Sequence, residues 1–314
     1  YMLRLVLVKI YVKRKYPALD FYAEPNEGAL KQKNAALLHQ VVGIIVNNTD
    51  TTVLTICLGA KSLLEVSVYG IYMMVVNAVN QLMTSFSNGL TAGFGEVIAK
   101  NEEETLKKSY SSYEYMYFVI MFIVIACMGV LILPFVGVYT INLTDVQYVR
   151  PVLGILFTLI VFMQNVRIPG LTIICAAGHY KETRYQAILE AVINITVSLG
   201  LVWKFGMAGV LLGTVCSYGY RSFEIVFYTS RHLVKGCAKK SMFRILRNVF
   251  TVAILCTVGT YVIPQEITSF TTWFLYAIGM GLTSVFFVVV INYVVEPDEF
   301  MQLRHRVNDI IKKE

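Results

Sequence analysis

Long apolar runs alternate with shorter polar segments along almost the whole sequence. Each run is long enough to cross the roughly 30 Å hydrocarbon core of a bilayer as a helix. Because backbone polar groups cannot stay unpaired in lipid, each spanning run is expected to be helical. The pattern predicts an all-α integral membrane protein with eight spans, at residues 35–58, 64–88, 113–135, 149–171, 185–203, 206–229, 247–264 and 271–294.

The polar segments between these runs predict how the chain is organised. The expected parts are the end of a preceding membrane helix with a cytoplasmic loop (1–34), a six-helix lobe (35–231), a basic cytoplasmic loop (232–246), a hairpin of two further spans (247–294) and a cytoplasmic tail (295–314). The tail has apolar residues at helical spacing, which suits an amphipathic helix on the inner leaflet, although a frayed charged tail fits equally. The sequence opens on an apolar helical pattern without an initial Met, so we expect a fragment that lacks its N-terminal part.

Composition and charge agree with a membrane protein. The chain is 56% hydrophobic and only 15% charged, which is not typical of a soluble domain. If the segment before the first span is cytoplasmic, most Lys and Arg residues outside the spans fall on that side, and the other side holds Lys61, Arg150 and Lys204. This bias predicts a multi-pass protein of the cytoplasmic membrane with both ends of the chain cytoplasmic. The net charge of +7 therefore reflects topology and does not indicate nucleic-acid binding.

Four consecutive polar residues, Asn47 to Asp50, interrupt the middle of the first span. An Asp near the bilayer centre costs about 2.5–3.5 kcal/mol on insertion scales, whereas each Leu, Ile or Val contributes only about 0.3–0.6 kcal/mol in favour. Charged residues retained at this depth usually face a bundle interior or a watery cavity and serve a function. The interruption therefore indicates a solute pathway rather than a passive anchor.

Polar side chains also follow one face of several other spans. Interhelical hydrogen bonds explain single Asn or Thr residues, but long one-sided stripes on several helices favour a hydrated cavity. The candidate cavity-lining residues are Asn77, Asn80, Gln81, Thr84, Asn165, Gln186 and Ser217. Pro169 is expected to kink the fourth span.

Five side chains fall near the middle of the membrane and offer hard oxygen ligands. They are Asn47, Asp50, Glu190, Asn194 and Thr214. Such ligands suit Na⁺, or one carboxylate carries H⁺; a neutral carboxyl held by neighbouring amides is an equal alternative. Arg167 and Arg221 are candidates for attracting phosphate, or anchors that fix the topology. The six cysteines are scattered without a paired spacing, so we predict no metal centre, and no motif indicates an organic cofactor or a catalytic site.

Several stretches resemble the polysaccharide and O-antigen flippases of the multidrug/oligosaccharidyl-lipid/polysaccharide (MOP, MATE-like) exporter superfamily. Residues 10–21 look like the family's exit from its sixth helix, residues 39–82 like its seventh and eighth helices, and residues 205–214 like its eleventh-to-twelfth turn. The resemblance covers essentially the whole chain.

The resemblance implies a fourteen-helix transporter of which this chain is the second half, with the N-terminal lobe missing. Spans one to six would be the C-terminal lobe, and the last two would be an additional hairpin. The family flips lipid-pyrophosphate-linked oligosaccharide to the outer leaflet by alternating access and is thought to be cation-coupled. Asp50, Asn194 and Thr214 fall on the helices that hold a cation site in related flippases. Glu190 and Asn194 have their acid and amide in the reverse of the family's order.

The expected function is therefore transport and not catalysis. The expected partners are a lipid-linked oligosaccharide, membrane lipids and the missing lobe. One alternative is a multidrug/cation antiporter of the same superfamily, which the fourteen-helix count disfavours. Another is a membrane-embedded glycosyl- or acyltransferase, which would need acids or histidines clustered at one membrane face. A third, a membrane scaffold, would not need polar stripes on five helices.

Overall fold

The computed structural model describes residues 2–17, 32–87, 90–100, 102–264, 266–301 and 304, and every regular element within these ranges is helical. The helices are α1 (Met2–Lys15), α2 (Lys33–Cys57), α3 (Ser62–Ser87), α4 (Leu90–Ala99), α5 (Glu103–Tyr139), α6 (Pro151–Val166), α7 (Ile168–Ala176), α8 (Arg184–Phe205), α9 (Met207–His232), α10 (Ala238–Val262) and α11 (Phe270–Val295). A 3-10 turn, Gly59–Lys61, joins α2 to α3. The prediction of an all-α protein is confirmed.

Six helical segments in the described part of the chain are long and apolar enough to cross a membrane. They are Gly59–Ala99, Glu103–Tyr139, Pro151–Ala176, Arg184–Phe205, Ala238–Val262 and Phe270–Val295. The other two predicted spans correspond to α2 and α9. Both are helices of sufficient length, but polar residues near their centres leave them outside the six segments that are apolar enough to cross a membrane.

Several helix boundaries differ from the predicted ones. The third span was predicted to begin at residue 113, but α5 begins at Glu103. Residues 103–112 therefore form the first turns of a 37-residue helix. α10 begins at Ala238, inside the segment 232–246 that was predicted to be a loop. Beyond Met301, every residue of the expected tail except 304 lies outside the described ranges. The predicted amphipathic helix of the tail therefore falls mostly outside the described residues.

The fourth predicted span is interrupted at Arg167, between α6 and α7. Pro169 follows two residues later. A proline has no backbone N–H to donate, and its ring clashes with the carbonyl four residues earlier, so the helix cannot continue regularly through it. The kink expected at Pro169 is therefore present.

The chain divides into two compact units, Tyr1–Asn34 and Ala35–Glu314. α1 is the described helix of the first unit, and its apolar side chains are exposed. In the second unit, α5 is the most deeply buried helix and packs against α3, α6, α10 and α11. α9 packs against α6 and α8, so the unit is built around two adjoining helix groups.

α8 and α9 form a tight antiparallel hairpin. Gly206 is the single residue between them and has a φ of +55°, a conformation that residues with a Cβ rarely adopt. A Cβ added to Gly213 would lie 2.7 Å from the Ser198 backbone nitrogen and 3.0 Å from the Asn194 carbonyl oxygen. The small residues of α9 therefore allow the two backbones to approach closely.

Gly213→Ala is expected to lower the free energy of unfolding by about 1–3 kcal/mol, because the backbone of α8 must move to admit the methyl group. Gly219→Ala is the matched control on the same helix, since a Cβ there meets nothing within 4 Å. The control is expected to be neutral or to stabilise by up to about 1 kcal/mol, because Ala favours helix more than Gly. Denaturant titration in mixed micelles measures both, and equal effects would contradict the close approach.

Candidate functional site

The carboxyl of Asp50 lies inside the protein, where α2 meets α3 and α9. Its side chain is only 4% exposed. Thr214 Oγ1 donates a hydrogen bond to Asp50 Oδ1 at 2.7 Å, and the Tyr69 hydroxyl donates to Oδ2 at 3.3 Å. Asp50 forms no ion pair in the described part of the chain. Both oxygens are thus held by neutral hydroxyl groups.

α8 adds an amide side chain, Asn194, to this group. Asn194 Nδ2 donates to Thr214 Oγ1 at 3.0 Å and to Ser217 Oγ at 3.4 Å. The other end of the amide, Asn194 Oδ1, is buried and accepts no hydrogen bond among the described residues. A buried acceptor without a hydrogen bond lowers stability unless a water molecule or a cation pairs with it. We call Asp50, Asn194, Thr214 and Ser217 the oxygen cluster.

The oxygen cluster has the chemistry of a small-cation site. One carboxyl, one amide oxygen and two hydroxyls are hard ligands that suit Na⁺ better than a transition metal. A buried carboxylate without a basic partner must otherwise carry a proton, because an uncompensated charge is expensive at this depth. The Asn194 amide turns its Nδ2 rather than its Oδ1 toward the hydroxyls of Thr214 and Ser217, and the coupling ion, Na⁺ or H⁺, stays a prediction. Three of the five predicted cation ligands, Asp50, Asn194 and Thr214, therefore lie together.

The other two predicted cation ligands lie outside the oxygen cluster. Asn47 is exposed and accepts a hydrogen bond from the Tyr218 hydroxyl at 3.2 Å. Glu190 is buried between two guanidinium groups, bonded to Arg167 and lying 3.5 Å from Arg221 Nε. A carboxylate held by two cations is poorly placed to bind a third. The structure thus places Glu190 in a different group from Asp50.

That group is a buried chain of alternating charges, which we call the arginine cluster: Arg167, Glu190, Arg221 and Glu224. Arg221 also bonds Glu224 on its own helix, and the Arg167 guanidinium stacks over the Tyr218 ring at 4.5 Å. The cluster connects the α6–α7 junction with α8 and α9. Two positive and two negative groups leave it without net charge. A phosphate would therefore have to displace a glutamate to reach Arg167 or Arg221.

The predicted cavity-lining residues divide into two groups. The first group is Asn80 and Asn165, which bond each other: Asn165 Nδ2 donates to Asn80 Oδ1 at 3.0 Å. Asn80 Nδ2 donates to Gln164 Oε1 at 2.9 Å. The Tyr117 hydroxyl donates to Asn165 Oδ1 at 2.9 Å. These contacts connect α3, α5 and α6, so Asn80 and Asn165 act as interhelical hydrogen-bonding residues here.

Of the remaining five predicted cavity-lining residues, all but Ser217 are accessible. Asn77, Gln81 and Thr84 are exposed along one face of α3, and Gln186 is half-buried near the start of α8. Ser217 is fully buried within the oxygen cluster. The accessible part of the predicted cavity surface is therefore concentrated on α3, one turn apart at each step.

Sequence reasoning missed a second buried polar network, built around Arg244 on α10. Arg244 is fully buried. Its Nη1 donates to Glu114 Oε2 on α5 at 3.0 Å, and its Nε donates to both Glu296 oxygens at 3.1 Å. Arg247 also donates to Glu296, and Asn292 Nδ2 donates to Asn248 Oδ1 at 2.9 Å. The last two long helices are thereby fastened to α5.

The sequence contained a signal for this network. Lys240, Arg244 and Arg247 follow the spacing of one helix face, which would place three cations on the same side of a helix. Residues 232–246 were predicted to form a loop, in which helical spacing has no meaning. Glu114, at the start of the third predicted span, is the acid that such a face requires.

Comparisons with known proteins add no family assignment. The sequence matches no protein-family model, and no curated protein matches it significantly. Among the described residues, no three His, Cys, Asp or Glu side chains are grouped so that they could hold a metal ion.

Proposed function

We propose that this chain is the second half of an exporter that flips lipid-pyrophosphate-linked oligosaccharide across the cytoplasmic membrane for polysaccharide biosynthesis, with a small cation as the coupling ion. The observation that carries the proposal is the oxygen cluster. It places the Asp50 carboxyl, which has no basic partner among the described residues, between α2, α3, α8 and α9. The resemblance of the sequence to MOP flippases supplies the substrate class.

The proposal includes eight membrane spans, adding α2 and α9 to the six apolar segments. α2 has 25 residues and α9 has 26, so at 1.5 Å per residue each is longer than the bilayer core of about 30 Å. Asp50 and Arg221, the charged residues near their centres, are buried against other helices. Burial inside the bundle supports insertion, because these groups do not face lipid.

A cation at the oxygen cluster would couple its binding to helix arrangement. The ligands come from three helices, so an ion bound there favours the arrangement in which α2, α8 and α9 are together. Loss of the ion removes that preference and leaves the Asp50 charge uncompensated. A ligand can drive such a change only through its different affinities for the two arrangements, and this site provides that difference.

The exposed polar face of α3 supports a water-accessible substrate pathway. Asn77, Gln81 and Thr84 would be costly against hydrocarbon, since lipid offers no hydrogen bonds. An aqueous cavity opposite a partner lobe would satisfy them. Amides and hydroxyls are also the groups that bind sugar hydroxyls without requiring charge.

Transport by the full-length protein in proteoliposomes tests the proposal. A fluorescent short-chain lipid-pyrophosphate oligosaccharide is supplied in one leaflet, and its appearance in the other is followed with an impermeant quencher. We expect flipping well above that of empty liposomes, and acceleration by a Na⁺ or H⁺ gradient. Flipping no faster than in empty liposomes would contradict the proposal. Export of amphiphilic cations without lipid flipping would favour the antiporter alternative.

A further inference from the structure

A cavity of about 310 Å³ opens where the first turns of α5, the α9–α10 connection and the residues after α11 meet. All three segments lie at ends of long apolar helices, so the cavity is expected at the level of the lipid headgroups. The charged side chains that line it are Glu104, Lys107, Lys108, Glu114, Lys240 and Glu299. The site is separate from the oxygen cluster and the arginine cluster, with which it shares no residue.

The two inner carboxylates of this cavity already have partners. Glu114 accepts hydrogen bonds from Arg244, from the Ser241 hydroxyl at 2.5 Å and from Tyr110 at 3.1 Å. Lys240 Nζ donates to Glu299 Oε1 at 2.6 Å.

Glu299 is held in its charged form. Burial by itself would raise the pKa of the Glu299 carboxyl, but hydrogen bonds from Lys240 and Ser111, with the charges of Lys240 and Arg244, hold that pKa below its ordinary value. Glu299 therefore stays paired with Lys240 at neutral pH.

The two lysines on α5 differ from Lys240. Lys107 and Lys108 are exposed at the cavity and form no ion pair with any residue that the structure describes. The lining contains three lysines and three glutamates, and Arg244, which lies behind it, contacts two of those glutamates. Arg244 and Arg247 both pair with Glu296, so counting these three with the lining leaves the site with an excess of one positive charge. A singly charged anion would balance it.

The surface next to the cavity suits an acyl chain. Phe243 lies three residues after Lys240 and therefore on the same side of α10. Phe243, Leu246 and Phe250 are all exposed and continue along the helix away from its charged end. An anionic group at the cavity would thus have an apolar path beside it, in the direction of the bilayer core.

We propose that this cavity binds the phosphodiester headgroup of an anionic membrane phospholipid, such as phosphatidylglycerol, with Lys107 and Lys108 contacting the phosphate. Basic pockets between membrane helices bind such headgroups, and each lysine near the surface contributes about fivefold in affinity. The proposal goes beyond the transport function and depends only on insertion of the protein in a membrane.

Lipid binding to the purified full chain tests this site without any transport measurement. Short-chain phosphatidylglycerol is titrated in neutral detergent, and native mass spectrometry counts bound lipid. The double variant K107Q/K108Q is expected to lose about twenty-five-fold in affinity, two lysines at about fivefold each. The matched control is K61Q/K204Q, which removes two exposed lysines that do not line the cavity. Equal losses in the two double variants would overturn the site.

Two further arms identify the ligand. Glu104→Gln removes the one acid of the lining that forms no ion pair with a described residue, and is expected to raise the affinity for phosphatidylglycerol several-fold. Unchanged or lower affinity would count against phosphate binding at the cavity. Phosphatidylcholine, which has no net charge, is expected to bind at least tenfold more weakly than phosphatidylglycerol. If inorganic phosphate displaces the lipid at equal concentration, the site binds free phosphate and the lipid assignment is wrong. Because flipping is not measured, failure here leaves the exporter proposal intact.

Discussion

Asp50→Asn is expected to reduce flipping by the full-length protein at least about tenfold while leaving membrane insertion unchanged. Mutating a residue that only hydrogen-bonds a metal ligand typically costs about 10–100-fold in affinity or activity. Asp50 would bind the cation directly and is the only charged residue of the oxygen cluster, so its loss should cost at least as much. Asn has nearly the same shape and can still accept the hydrogen bond from Thr214. The loss of rate would therefore report the missing charge rather than a misfolded bundle.

The transport assay in proteoliposomes measures this effect, together with its dependence on Na⁺ and on pH. Glu182→Gln is the matched control, because Glu182 is an exposed carboxylate before α8. Thr214→Val provides a graded companion: it removes a neutral ligand, so we expect a weaker apparent affinity for the cation and a smaller loss of maximal rate. Normal flipping with unchanged cation dependence in Asp50→Asn would remove Asp50 from the mechanism.

Arg244→Ala is expected to lower the free energy of unfolding by about 3–5 kcal/mol, the range for breaking a buried ion pair by removing one partner. The substitution leaves Glu114 buried without its guanidinium and removes the contacts to Glu296. Since these contacts join α10 and the end of α11 to α5, the final hairpin is expected to loosen first. Denaturant titration in mixed micelles gives the free energy, and limited proteolysis reports the hairpin.

Arg231→Ala is the control for this prediction, because Arg231 is an exposed arginine at the end of α9. It is expected to change stability by no more than about 0.5 kcal/mol. Glu114→Gln combined with Arg244→Ala should cost less than the two single changes added together, by about 0.5–3 kcal/mol, because the residues are in direct contact. Additive effects, or a small effect of Arg244→Ala alone, would show that the network does not hold the hairpin.

The helices themselves were predictable from the sequence. An apolar run at membrane depth has no alternative to helix, since lipid offers no partner for a backbone N–H or C=O. The kink at Pro169 follows from local backbone chemistry in the same way. Helix ends were less predictable: α10 starts at Ala238 because its basic first turns are covered by acids from α5 and the segment after α11.

The candidate site was predictable only in part. Spacing within one helix showed that Asp50 on α2 and Asn194 on α8 each belong to a polar face. Spacing could not show that Thr214 stands between them, with Asn194 donating to its hydroxyl and that hydroxyl donating to Asp50. The same type of argument grouped Glu190 with Asp50, whereas in the structure Glu190 pairs with Arg167 and Arg221.

By itself, the sequence determined that this chain forms apolar helices of membrane-spanning length, and which face of each helix is polar. The tertiary structure alone decided which polar faces meet. It paired Glu190 with arginines, joined Asn80 to Asn165, and buried Arg244 against Glu114. The physical reason is that periodicity fixes directions around one helix axis, whereas a hydrogen bond between helices also depends on the rotation, depth and tilt of its neighbour.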